Sequence, residues 1–194
     1  MVDCERCTKK GYCNIYTSNF RVENCIDYKA EEEEKAPTIK DSGNRREFET
    51  GAVRDIQEGK GRCDLMPLDV VAKCISNPTL AHIHCFKTSG DEKKLFSALS
   101  ASGVYNDYHT MFLEVSKHFE EGAKKYGENN WQKGIPTHCY IDSAVRHYLK
   151  YLRGDKDEEH SRAFVWNIIC CIWTCIHKPE LNDYKKESEM NTNA

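Results

Sequence analysis

The chain contains no run of 18 apolar residues, which excludes an ordinary membrane-spanning helix. No apolar signal-peptide core follows Met1, so a cytoplasmic location is expected. No excess of one charge is present either: 28 Lys and Arg stand against 31 Asp and Glu, a formal net charge of -3. A protein that coats nucleic acid carries a positive surplus, so nucleic acid is not an expected partner. A local basic pocket for a phosphorylated small molecule remains compatible with that balance. No internal repeat is visible. The 194 residues fit one domain, or one domain with a small appendage. About 39% are apolar and 30% charged, enough for a core but with much of the chain left to surface and loops.

Cysteine is abundant, with eleven in the chain. Four fall within the first 25 residues, Cys4, Cys7, Cys13 and Cys25, spaced C-x2-C-x5-C-x11-C. Four thiolates in a segment too short for a core fit a structural Zn2+ site, a small zinc-knuckle-like unit over residues 1–30. Such a site has no open coordination position, so its role would be scaffolding or docking. Four reduced thiols on a flexible arm are the plain alternative. The other seven cysteines, several inside apolar stretches such as "NIICCIWTCI", read as reduced core residues. Lys9, Lys10, Arg6 and Arg21 leave a nucleic-acid adaptor as a third, weaker idea for the N-terminal unit.

Four consecutive glutamates mark an acidic linker over 31–41. A main domain over 42–178 and a polar, disordered tail over 179–194 complete the expected layout. "FETGAVRDIQEGKGRCDLMPL" reads as loop or short hairpin. "PLDVVAKCI", "PTLAHIHCFK" and "DEKKLFSALSASG" read as helical segments. Three longer helices are expected over 106–126, 137–153 and 157–177. Phe112, Val115, Phe119 and Tyr126 repeat at helical spacing on the first. Ile141, Ala144, Val145, Tyr148, Leu149 and Leu152 form the apolar face of the second. The third is apolar nearly all round and should be central, with acids at its start to suit the helix dipole.

The polar groups that break these patterns are the candidate site. On "FEEGAKKYGENNWQKG" Glu120 lies nearly above Leu113 and is expected at the buried edge, with Glu121 facing solvent. Asp142 borders the core face of the second helix, where Arg146 at i+4 can pair with it. His160, Asn167 and Thr174 recur at sevens and draw a polar stripe along the third helix. Buried amides and imidazoles need partners, and Glu120 and Asp142 are candidates. A purely structural network explains the same pattern equally well, and simple solvation explains Glu121, Asp155 and Asp157.

Four stretches, "TGAVRDIQEGKGRCDLMPL", "HFEEGAKKYGENNWQKGIP", "IDSAVRHYLKYLRGDKDEEH" and "AFVWNIICCIWT", together resemble a phage-associated family of dATP/dGTP diphosphohydrolases, related to MazZ-type, MazG-like nucleotide pyrophosphohydrolases. The resemblance implies an all-α, MazG-like helical bundle that cleaves a purine deoxynucleoside triphosphate to monophosphate and pyrophosphate, in the host cytoplasm if the gene is viral. It also implies Mg2+ held by helical carboxylates and self-association into a homo-oligomer. MazG-like enzymes carry E-x-x-E and E-x-x-D helices, and here Ala123 and Arg162 stand at the i+3 positions of Glu120 and Glu159. Within this frame Glu120, Asp142, Glu158 and Glu159 are the Mg2+ ligand candidates, since that ion prefers oxygen. Glu120, Asp142, Glu159 and His160 are the catalytic candidates, with His160 as proton shuttle or orienting group. Arg54, Lys60, Arg62, Lys125, Asn130, Trp131, Arg146 and Asn167 are the nucleotide-binding candidates. Among these, "EGKGR" has glycines where a backbone can approach an anion, or forms a simple turn. Trp131 can stack on a purine or merely cover the core. The departure from the acid pairs keeps open a protein that captures a nucleotide, such as a signalling nucleotide, without hydrolysing it.

Overall fold

The computed structural model describes residues 43–185. The cysteine unit, the linker and the last nine residues of the tail lie outside the described residues. The described chain is an all-α bundle with one small hairpin. Strands β1 (Arg45–Glu47) and β2 (Val53–Asp55) pair antiparallel with Arg46 opposite Arg54. Helices α1 (Leu68–Cys74), α2 (Pro78–Ser89), α3 (Lys93–Ser102), α4 (Tyr108–Tyr126), α5 (Thr137–Arg153) and α6 (His160–His177) follow. Among the described residues no helix is long and apolar enough to cross a membrane.

Local chemistry sets the helix starts. Asn77 caps α2 by accepting the Leu80 N–H, and Pro78 occupies the first turn, where its missing donor costs nothing. Asp107 caps α4 by accepting from Thr110, which starts that helix two residues later than its apolar pattern indicates. Helix α6 begins at His160 because Asp157–Glu159 form the turn that leads into it.

The apolar rod α6 is central, as its composition requires. Phe164, Val165, Ile168, Cys170, Cys171 and Ile172 are all buried. It packs along α5, whose Ile141, Ala144, Val145 and Tyr148 face inward. Helix α4 departs from its expected face. Met111 and Val115 are buried, whereas Phe112 and Leu113 are 55% and 69% exposed. Leu152 at the end of α5 is also exposed. Of the seven cysteines assigned to the core, Cys139, Cys170, Cys171 and Cys175 are buried, but Cys74 and Cys85 are exposed and Cys63 is half-buried.

The tail is not loose where it is described. Asn182 is buried and donates to the Gly90 carbonyl at 2.9 Å, and the Tyr184 ring meets Phe86 edge-on at 5.3 Å. Gly90 adopts φ +69° at the end of α2, and a Cβ there would sit 2.7 Å from the Lys185 Cα. Only glycine permits that approach. Asp183 accepts the His138 N–H and the Thr137 hydroxyl at the start of α5, and the His138 ring at 2.9 Å.

That clamp is pH-sensitive. The Asp183 hydrogen bond, helped by Cys139, pushes His138 up to about 10. Burial alone would raise the Asp183 carboxyl, yet its bonds from His138 and Thr137 hold it below the usual range. Stability from a raised histidine is full below its unfolded value near 6.5 and fades as pH climbs toward 10. Stability from a depressed carboxyl is full above about 3.9 and fades as pH falls below that. The difference in urea midpoint between wild type and His138→Ala should therefore be largest near pH 5 and vanish toward pH 10. A pH-independent difference would contradict the clamp.

Candidate active site

The site is made by fixing the hairpin over the helices. The Asn130 side-chain amide does this like a strand edge: its Oδ1 accepts the Val53 N–H and its Nδ2 donates to the Val53 carbonyl, both at 2.8 Å. Asp55 ties β2 to the end of α4 through Lys125 Nζ at 2.8 Å and the Tyr126 hydroxyl at 2.9 Å. Burial would raise its carboxyl, but those two hydrogen bonds keep it below its ordinary value. Asp142 on α5 makes the third anchor. Its Oδ1 accepts the Cys63 N–H at 2.7 Å, and its Oδ2 accepts from Gln57 and Arg146, each at 2.8 Å. Gln57 in turn accepts from Arg46, so one chain of bonds runs Arg46–Gln57–Asp142–Arg146.

Between the hairpin and helices α4, α5 and α6 lies a cavity of about 990 Å³. Its lining includes the cations Arg46, Arg54, Lys60 and Arg146. It also includes the aromatic rings of Phe119, Tyr126, Trp131 and Trp166, and Glu120, Glu121, Glu158 and Glu159 supply acid groups. Arg54 is the best-fixed cation. Its guanidinium lies over the Tyr140 and Trp166 rings at 5.2 and 5.9 Å, and its Nη2 donates to Asn167 and Ser143 at 2.9 and 3.1 Å. Its Nη1 is buried with no protein partner. Glu121 is fixed in the same way, with Oε1 3.4 Å from Arg162 and Oε2 buried without a partner. Trp166 Nε1 is a third unpaired buried atom among the cavity-lining residues. Arg46 Nε is a fourth, and each such atom costs about 1–3 kcal/mol in a dry wall.

Two histidines in the wall are held neutral. Burial, with Arg162 and Arg54 nearby, lowers His118 to about 3. Burial, then His160 and Arg146, keep His147 well below its ordinary value. The rings of His147 and His160 meet Nδ1 to Nδ1 at 2.9 Å, and His160 Nε2 lies 2.7 Å from Asp157.

The cavity gathers many of the expected residues and corrects others. Arg54, Lys60, Asn130, Trp131, Arg146 and Asn167 line it, as do Glu120, Asp142, Glu158 and Glu159. Asn130 and Asp142 are spent on holding the hairpin, and Trp131 stands edge-on to Phe119 and Trp173. Arg62 is not in the lining and makes a paired contact with Asp64, at 2.7 and 2.6 Å. Lys125 is also absent from the lining, because it serves Asp55. His160 is buried behind the wall.

The two glutamates of α4 exchange roles. The Glu120 side chain is 64% exposed at the rim and pairs with Lys124, whereas Glu121 turns inward to Arg162. The expectation took Leu113 for a buried residue, and with Leu113 outside, the residue one heptad on goes outside too. The four acids proposed for Mg2+ do not share one coordination sphere. Among the described residues, the convergent metal-competent groups are His147–Glu158–His160 and Asp155–Asp157–His160. Glu159 accepts the Ser161 hydroxyl at 2.6 Å instead. The missed residues, Glu121, His118, Trp166 and Arg162, all sit on the inner faces of α4 and α6. A wheel centred on Met111 and Val115 puts His118 on the inner face, with Glu121 at its edge and Glu120 on the far side.

Residues 87–184 match the model of the dATP/dGTP diphosphohydrolase N-terminal family. The chain belongs to that family. The family's name is that of a hydrolase acting on nucleotides, and the matched segment carries α4, α5 and α6 with Glu121, Arg146 and Trp166. The hairpin that brings Arg54 precedes the match. No curated protein and no solved structure matches the chain.

Asp142 and Glu120 separate by experiment. Replacing Asp142 with Asn leaves Arg146 without its charge partner in a buried network and should cost about 2–4 kcal/mol of stability in urea unfolding. Glu120→Gln changes only an exposed i,i+4 pair and should leave the unfolding midpoint and catalytic turnover near wild type. A stable Asp142→Asn protein, or an inactive Glu120→Gln protein, would reverse this assignment.

Proposed function

We propose that the cavity binds a purine deoxynucleoside triphosphate and that the protein hydrolyses it between the α- and β-phosphates. The observation that carries the reading is the set of buried polar atoms without a protein partner, Arg46 Nε, Arg54 Nη1, Glu121 Oε2 and Trp166 Nε1, on residues lining one cavity. Its volume is that of a small-molecule site, and family membership supplies the substrate class.

The chain's own residues divide the work. Arg54 offers half of a rigid fork, stacked and pinned on its other half, which suits an anionic oxygen. Lys60 and Arg146 add positive charge to the lining. Trp131 and Trp166 offer faces and edges to a purine, and neutral His118 offers either a donor or an acceptor. Glu121 is the carboxylate placed to take a proton from the attacking water. The water oxygen bonds to the α-phosphorus, the bridge to the β-phosphate breaks, and pyrophosphate leaves with the electron pair. Pyrophosphate hydrolysis of this kind ordinarily needs a hard divalent ion. The set Glu120, Asp142, Glu158 and Glu159 does not fit that ion, so no step is assigned to it.

A second reading, capture without hydrolysis, is favoured by that same lack of convergence. The test is a panel of deoxynucleoside and nucleoside triphosphates with divalent ions present, followed by separation of products. Monophosphate and pyrophosphate from dATP or dGTP are expected. Glu121→Gln should lower turnover about 100-fold or more, and Arg54→Ala should lower kcat/KM by a similar factor, with Arg54→Lys recovering only part. Intact nucleotide retained at high protein concentration would establish capture. Neither binding nor product would overturn both readings.

A further inference from the structure

We propose that His147 on α5 with Glu158 and His160 at the start of α6 forms a binding site for a divalent first-row transition-metal ion, with Asp157 as the residue that positions His160. Candidate ligand atoms of the three side chains all lie within 4.8 Å of one another. The two imidazoles present Nδ1 to Nδ1 at 2.9 Å. Metal–nitrogen bonds are about 2.0–2.1 Å, so one ion can reach both atoms with an angle of about 90° between them. His160 turns its other nitrogen to Asp157 Oδ1 at 2.7 Å. A carboxylate on the far nitrogen is the usual support of a metal-binding histidine, since it fixes the tautomer that leaves the near nitrogen as an acceptor. Asp157 is itself held by Lys150, 3.1 Å from its other oxygen.

Three features make this more than an acidic turn. His160 is fully enclosed and the His147 side chain is 18% exposed, so packing holds the His160 ring and most of the His147 ring. Asp155, Asp157, Glu158 and Glu159 give the turn a negative charge that Lys150, Arg153 and Lys156 offset only in part. His147 and Glu158 also line the nucleotide cavity, which gives the ion a path in. Two nitrogens and one carboxylate select Mn2+, Fe2+, Co2+ or Zn2+ over Mg2+, which wants oxygen alone. Any part the ion plays in hydrolysis rests on the nucleotide reading, but its binding does not.

The experiment titrates Mn2+ into the full chain without nucleotide and follows the free ion by electron paramagnetic resonance. Mn2+ is the probe because the N-terminal thiolates favour softer ions. One Mn2+ per chain is expected, retained against an equal concentration of Mg2+. His147→Ala and His160→Ala should each weaken it at least about 10-fold, and Asp157→Asn by about 10-fold. Glu158→Gln, at a partly exposed position, serves if the histidine variants do not fold, with weakening again expected. Wild-type affinity in the folded variants, or displacement by equal Mg2+, would overturn the site. Loss of hydrolysis in Glu121→Gln with Mn2+ binding intact would concern the nucleotide reading alone.

Discussion

Asp142 decides the shape of the molecule's working end. Its carboxylate is buried and given over to three donors, the Cys63 N–H, Gln57 and Arg146. Each comes from a different part of the chain, so a single charge holds the segment after the hairpin against α5. A carboxylate in that position is tolerable only because every donor is present. Without it nothing on α5 would fix Gln57, and through Gln57 nothing would fix Arg46. The Asn130 clip on Val53 and the Asp55 tie to α4 finish the work from the other side. Together they hold a hairpin of two three-residue strands, too small to be stable alone, as one wall of a cavity.

That division of labour explains why the cavity keeps unpaired atoms. Structural polar groups around it are saturated: Asn130, Asp55 and Asp142 have their partners. The two groups proposed to meet the nucleotide are each held by one end only. Arg54 is pinned through Nη2 and stacked on Tyr140 and Trp166, and Glu121 is held through Oε1, leaving Nη1 and Oε2 unanswered. Rigid, half-satisfied groups of opposite charge around one space are what a triphosphate and its attacking water require. The family match supplies the substrate class, and Arg54, on the hairpin before residue 87, adds a cation to the cavity from outside the matched segment.

Much of the bundle was legible in the sequence because its signals are periodic. Helix α5 has the predicted bounds, and α6 is the buried rod its composition indicated. The polar stripe was legible in its positions but not in its partners: Asn167 meets Arg54 and His160 meets His147 and Asp157, in place of the expected Glu120 and Asp142. The α4 face was not, because Phe112 and Leu113 are apolar yet exposed, and a pattern of apolar residues carries no sign for which face is inward. Glu120 and Glu121 exchanged roles through that one ambiguity. Nor could the sequence reveal that Lys125 and Arg62 serve Asp55 and Asp64, since those pairings are decided by how the 43–65 segment lies on the helices. The packed end at Asn182–Tyr184 was hidden by its polar composition, because its contacts are one amide, one carboxylate and one ring.

The central claim is that one space, between the hairpin and the inner faces of α4 and α6, receives the nucleotide. A crystal structure with the α,β-methylene analogue of dGTP, which cannot be cleaved between those phosphates, tests it most directly. The account predicts the analogue in this space with an oxygen within hydrogen-bond distance of Arg54 Nη1. An analogue bound elsewhere on the chain, with Arg54 and Glu121 unchanged in their surroundings, would contradict it.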